Sequence, residues 1–292
     1  MLPNFFVIGA NKAGTTSLHR YLSEHPDVFM SAVKEPHWFV CEGVIPEATR
    51  FRGQMERVPT YAAYEALFDG VRGERVVGES STGYLTNPVA ARRIKAAVPE
   101  ARLLAVIRDP SGRAHSAHAH ARREGKEPIA SFAAALDEER RGCPWRGYVR
   151  FGRYAEGLAC YFELFGRDQV KVFLYEDLCD DPKAMLGETF VWLGLDPTFT
   201  PPVEQRYNVS YVPKSAAVHR ALRRSSRIKS TMKAVLPAST LGRIKHRVGA
   251  WNTGAPEPLD TETRARLIEL FDADIRATEA LVGRDLSSWR TV

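Results

Sequence analysis

Apolar residues along this chain fall into short unbroken runs and helical stripes that alternate. Phe5-Phe6-Val7-Ile8 is an unbroken run closed by Gly9, the pattern of a parallel strand covered on both faces. After it, Leu18, Tyr21 and Leu22 recur at helical spacing behind Thr15, Thr16 and Ser17, and Pro26 bounds the far end. Residues 75–79, 102–108 and 170–175 read as further strands. Helical stripes separate them: residues 88–97, residues 154–165 with Leu158, Phe162 and Phe165 on one face, and a stretch from Pro182 that stops at Gly194. Near the end, Asp260 is placed to cap a helix carrying Leu267, Ile268, Phe271 and Ile275. Strands alternating with helices predict an α/β fold, with a central, mainly parallel sheet flanked by helices. Ligands of such sheets sit beyond the carboxyl ends of the strands. The segments 9–16, 79–82 and 108–111 are therefore expected to converge on one crevice.

The length of 292 residues and the apolar content of 44% suit one domain over residues 1–292 with a sizeable core. No run of about 18 apolar residues is present, and no basic start leads into an apolar stretch, so neither a spanning helix nor a secretory leader is expected. Cys41, Cys143, Cys160 and Cys179 are scattered. That spacing argues against a disulfide framework or a zinc site and fits a cytoplasmic protein. The net charge of +6 is unevenly spread: eleven Lys or Arg and no Asp or Glu lie between Arg206 and Pro256, and the remainder is mildly acidic. Residues 206–250 read as a basic helical insertion in the C-terminal third, two amphipathic helices broken at Pro237. Three readings compete for it: a solvated helix face, a lid drawing in anionic ligands, or a patch for peripheral contact with a membrane surface. Nucleic acid is not an expected partner, because interleaved aromatics and a recognised motif are lacking.

Two segments carry chemistry. Gly9-Ala10-Asn11-Lys12-Ala13-Gly14-Thr15-Thr16-Ser17 feeds a helix N-terminus, where free backbone N–H groups and the helix dipole bind phosphate or sulfate. A Walker A loop carries its lysine directly after the second glycine. Here that slot holds Thr15 and the lysine is Lys12, so a metal–nucleotide kinase is an unusual owner. Arg108-Asp109-Pro110 ends the strongest strand, and Ser116 follows about two helical turns into the next helix. Arg108 and Ser116 can jointly hold a second phosphate through the guanidinium's fixed fork of donors. Two anion sites point to a ligand with two anionic ends. The plainer alternatives are a strand–turn–helix with a surface lysine, and a structural Arg–Asp turn.

The Lys12 loop, Lys34-Glu35-Pro36-His37-Trp38-Phe39, the stretch from Ile107 through Ser116, and the end from Leu259 to Trp289 with Gly283-Arg284-Asp285 follow one another in a known order. In that order the chain resembles the sulfotransferases that use 3′-phosphoadenosine 5′-phosphosulfate (PAPS), especially the branch of heparan sulfate sulfotransferases and their bacterial relatives. The resemblance spans nearly the whole chain. It implies a P-loop-like central parallel sheet and PAPS as co-substrate with no metal required. It also implies in-line sulfuryl transfer to a hydroxyl or amine of a carbohydrate, lipid or natural product.

By the same resemblance, Lys12 stabilises charge on the bridging oxygen, and Ala13, Gly14, Thr15, Thr16 and Ser17 hold the 5′ end of the donor. Arg108 and Ser116 take the 3′-phosphate. Glu35 is the expected base, with His37 as rival; the plain alternative is a solvated Lys34–Glu35 pair with His37 packed on Trp38. Trp251 is a candidate for adenine stacking, in a loop that lacks the basic residues relatives place there. Glu79 either orients Lys12 or the acceptor, or is a buried structural carboxylate. Ser80 stands where relatives often carry lysine. Two other functions share these features: a P-loop-type small-molecule kinase, and a non-catalytic polybasic membrane-binding protein.

Overall fold

A computed structural model of the chain describes residues 1–41, 58–142, 146–203, 212–213, 253–254 and 257–292. Trp251 and nearly all of the basic insertion, 206–250, lie outside the described residues. The frame is a five-stranded sheet in the order β2-β3-β1-β4-β5. Its members are β1 (Phe5–Gly9), β2 (Val28–Met30), β3 (Val76–Ser80), β4 (Arg102–Ile107) and β5 (Val170–Leu174). All four pairings are parallel. β1 lies in the middle, with Phe6 level with Glu79 on one side and Leu103 on the other. Every residue of β1 is buried, and each side chain such as Phe5 or Ile8 contributes roughly 1.5–3 kcal/mol by leaving water. A second, two-stranded antiparallel pair joins Val212–Pro213 to Thr253–Gly254.

The described helices are α1 (Thr15–Ser23), α2 (Trp38–Cys41), α3 (Tyr61–Glu65), α4 (Pro88–Ala97), α5 (Pro110–Arg123), α6 (Phe132–Arg140), α7 (Ala155–Phe165), α8 (Tyr175–Asp180), α9 (Pro182–Leu193) and α10 (Thr261–Val282). Their ends follow local chemistry. Asn87 caps α4 by accepting from the Val89 and Ala90 N–H groups, and Asp260 caps α10 by accepting from Thr263 N–H. Gly194 and Gly283 close α9 and α10 in the left-handed conformation.

Three details depart from the pattern-based expectation. β5 ends at Leu174, one residue short of the expected 175, because the Asp177 carboxylate accepts the Leu174 N–H at 2.8 Å and turns the chain into α8. The inner stripe of α7 is Leu158, Tyr161 and Phe165, with Phe162 only partly buried. The edge strand β2 has three residues, too few for a period of two to show.

The buried hydrophobic residues form one cluster. Because β1 sits between β3 and β4, the loops leaving these three strands lie side by side at one edge of the sheet. No helix among the described residues is long and apolar enough to cross a membrane.

Candidate active site

The loop after β1 enters α1 through Gly14, which has φ 77°. A Cβ there would lie 2.5 Å from Leu178 Cδ2 and 3.2 Å from Tyr175 Cε2, so conformation and space both demand glycine. The Ser17 and Leu18 N–H groups donate back to the Gly14 carbonyl at 2.9 and 3.1 Å. The N–H groups of Gly14, Thr15 and Thr16 have no backbone acceptor among the described residues. With no acid in its first turn, α1 presents these donors as an anion cradle.

Arg108, at the end of β4, reaches this loop. Its Nη1 donates to the Lys12 carbonyl at 3.2 Å. Its guanidinium lies over the Tyr175 ring, 4.5 Å from the centroid, a cation–π contact that holds it beside the loop. Asp109 accepts from the Ser111 and Gly112 N–H groups at 3.0 and 3.3 Å and so starts α5, which carries the buried Ser116 two turns on. The two predicted anion-binding segments therefore share one edge of the sheet and touch.

The segment 34–39 docks against the end of β3. Glu35 N–H donates to the Ser80 carbonyl at 2.8 Å, His37 N–H to Ser81 Oγ at 3.0 Å and Phe39 N–H to the Tyr84 hydroxyl at 3.3 Å. Trp38 stacks on Tyr64 at 5.7 Å, and Phe39 meets Phe6 of β1 edge-on at 5.8 Å. Lys34 Nζ lies 2.9 Å from Glu35 Oε1 and 3.4 Å from Thr15 Oγ1, bridging this segment to the anion cradle. Glu35 Oε1 also accepts from Thr82 Oγ1 at 3.3 Å. His37 Nε2 lies 3.4 Å from Glu35 Oε2; its side chain is fully buried whereas that of Glu35 is 18% exposed. The Lys34–Glu35 pair is thus mostly sheltered from solvent.

Burial pushes the Glu35 carboxyl up, but the Lys34 charge and the His37 contact outweigh it and hold the group well below the usual carboxylate range. Glu35 is ionised at neutral pH. Nearby, His19 Nδ1 is 2.8 Å from Ser80 Oγ, and burial together with the Lys34 charge lowers its pKa to about 4. Among the described residues, the non-glycine positions with positive φ are Lys12 at 69°, Glu35 at 61° and His37 at 55°. Such conformations cost on the order of 1–3 kcal/mol each and persist where surroundings impose them, commonly at functional sites.

Glu79 is fully buried and accepts from the Tyr84 hydroxyl at 2.6 Å, Ser81 Oγ at 2.7 Å and the Tyr64 hydroxyl at 3.2 Å. Burial raises its pKa to about 7 against the opposing pull of those hydrogen bonds. Of its two expected roles, the geometry matches the buried hydrogen-bonded carboxylate. Sequence reasoning missed Lys34 as a bridge and Tyr175 as the platform for Arg108. The available signals were a cation beside a candidate base, and an aromatic residue at the carboxyl end of a parallel strand.

Comparison with known proteins adds three findings. Residues 3–201 match the profile described as the sulfotransferase family. A solved sulfotransferase from Alicyclobacillus acidocaldarius is 32% identical, with a TM-score of 0.76 and coverage of 100% of both chains. Curated relatives include the bifunctional heparan sulfate N-deacetylase/N-sulfotransferase 1 of Caenorhabditis briggsae, 28% identical over 208 residues (66% of this chain, 23% of that protein). The heparan sulfate glucosamine 3-O-sulfotransferase 6 of Homo sapiens is 29% identical over 197 residues, which is 66% of this chain and 52% of that protein. The chain thus matches between 23% and 52% of the length of these two curated relatives.

Proposed function

This chain belongs to the sulfotransferase family, and from that premise we propose that it transfers a sulfuryl group from PAPS to an acceptor hydroxyl or amine. The acceptor class is a carbohydrate, lipid or natural product. Saccharides come first for testing, since both curated relatives carry heparan sulfate in their names.

The observation that carries the reading is the Arg108–Lys12 contact of 3.2 Å. It puts a bidentate cation next to an anion cradle, as a donor with a 5′-phosphosulfate and a 3′-phosphate requires. Lys12, Ala13, Gly14, Thr15, Thr16 and Ser17 would hold the 5′ end, and Arg108 with Ser116 the 3′-phosphate. When bound, the donor supplies the electrophilic sulfuryl group. That group carries less negative charge than a γ-phosphoryl group, so Lys12 and backbone donors serve without Mg²⁺, unlike the metal-dependent phosphoryl template.

Glu35 is the base in this reading. It is ionised, partly exposed and held beside the cradle by Lys34. The complete burial of His37 supports a positioning role for the imidazole rather than direct contact with an acceptor.

Calorimetric titration with 3′-phosphoadenosine 5′-phosphate (PAP) in the presence of EDTA tests the reading. Saturable binding is expected, weakened about tenfold to hundredfold by Lys12→Ala or Arg108→Ala through loss of a charge-assisted contact. Undiminished affinity in both variants overturns the assignment, and binding of ATP with Mg²⁺ in place of PAP moves the chain to the kinase reading.

A further inference from the structure

Glu79 is a buried carboxylate that the proposed chemistry does not use. A hydroxyl has one proton to donate and lone pairs with which to accept. Ser81 and Tyr84 both direct that proton at Glu79, at 2.7 and 2.6 Å. Their lone pairs are thereby left for other donors. Ser81 Oγ receives the backbone N–H of His37 at 3.0 Å, and the Tyr84 hydroxyl receives that of Phe39 at 3.3 Å. Tyr64 also donates to Glu79, at 3.2 Å, but its hydroxyl receives no backbone N–H among the described residues.

We propose that Glu79 is a positioning residue. Through the hydroxyls of Ser81 and Tyr84 it fixes the backbone of residues 37 and 39, and with it the turn that presents Glu35. The catalytic meaning of this relay rests on the assignment of Glu35 as base made above; the relay itself does not.

The physical reason lies in direction. A carboxylate has no proton to give, so any hydroxyl bonded to it must donate, and its lone pairs then point away toward the segment 37–39. Charge-assisted bonds of this kind are short and strong. The segment needs such fixed acceptors because Glu35 and His37 both hold positive φ, a conformation that neighbours must impose. Gln at position 79 has one carbonyl oxygen and an NH₂ group. It cannot accept from both hydroxyls with separate oxygens, and its NH₂ competes for the Ser81 lone pairs.

Site-resolved amide hydrogen exchange by NMR on the full chain, above the Glu79 pKa of about 7, tests the relay. Ser81→Ala should speed exchange at His37 and leave Phe39 protected. Tyr84→Phe should do the reverse, and Glu79→Gln should release both. Tyr64→Phe removes a bond to the same carboxylate yet should release neither, which separates a relay from general loosening of the core. The expected acceleration is about three- to tenfold per lost hydrogen bond, with the Val7 and Leu104 amides unchanged. Any other pattern overturns the proposal, above all equal effects from all four variants. If Glu79→Gln does not fold, the wild type decides the matter. Protonating Glu79 by lowering the pH through about 7 should reduce protection at His37 and Phe39 relative to Val7 and Leu104, after correction for intrinsic rates, and unchanged relative protection overturns the proposal. PAP titration of the same samples separates the two readings: a wild-type chain that does not bind PAP removes the transfer reaction, whatever the amides report.

Discussion

Arg264 Nη1 donates to Asp109 Oδ2 at 2.9 Å, joining residues 155 apart in sequence and tying the first turn of α10 to the cap of α5. The same carboxylate accepts the Ser111 and Gly112 N–H groups. Asp109→Ala loses a helix cap and an ion pair, and should destabilise the chain by about 1–2 kcal/mol. Arg264→Ala loses only a partly exposed pair, at about 1 kcal/mol or less. Urea unfolding of both variants checks the order. Because Asp109 adjoins Arg108, its variant should also weaken PAP binding.

Lys34 is the cation that holds Glu35 low. A carboxylate with a depressed folded pKa contributes stability that is present above its unfolded value of about 4.5 and is lost as pH falls through the folded pKa. Lys34→Ala leaves the burial penalty without its main counterweight. The Glu35 carboxyl should then titrate at a clearly higher pH, as read by carbon-13 NMR. An unmoved titration would mean that Lys34 does not set the charge of Glu35.

Gly14 and Gly73 form a matched pair. Both hold positive φ, at 77° and 115°, but a Cβ on Gly14 collides with Leu178 while one on Gly73 meets nothing within 4 Å. Gly14→Ala should cost at least about 2 kcal/mol and abolish PAP binding, and Gly73→Ala about 1 kcal/mol with binding intact. Thermal unfolding and PAP titration check both.

Glu79 gives the opposite pH signature to Glu35. Its pKa rises from 4.5 unfolded to about 7 folded. The folded state therefore binds more protons between those values, and stability from this group is full below 4.5 and lost as pH rises through about 7. The total is on the order of 3 kcal/mol. The stability difference between wild type and Glu79→Gln, measured by urea unfolding, should shrink over that window; a flat difference would show that the carboxyl is not raised.

What the sequence makes legible here is what local pattern encodes. β1 and β4 are covered on both faces, so they read as continuous apolar runs, and the Gly9–Gly14 spacing marks the cradle. Asp260, Pro88 and Gly194 mark helix ends through their own side chains or backbone freedom. The Lys34 bridge is not legible, since only the turn at Glu35 and His37 folds that ammonium back toward Thr15. Nor is the docking of Phe39 on Tyr84, which joins positions 45 apart. One position of the α7 stripe differs, because Tyr161 and Phe162 are equally apolar to a periodicity argument and only tertiary packing, including the Tyr161 hydroxyl donating to the Tyr84 carbonyl, chooses between them.

The backbone twist shared by Lys12, Glu35 and His37 also bears on how such a protein ages under selection. Glycine would relax the main chain at any of the three, but at His37 it would empty a fully buried site and at Glu35 it would remove a carboxylate that stabilises the folded chain, so a screen for heat resistance alone should drift toward glycine at Lys12. Under the donor-binding role proposed for Lys12, sturdier descendants of that screen would hold PAPS less well, and position 12 is the one a thermostabilising library should leave untouched.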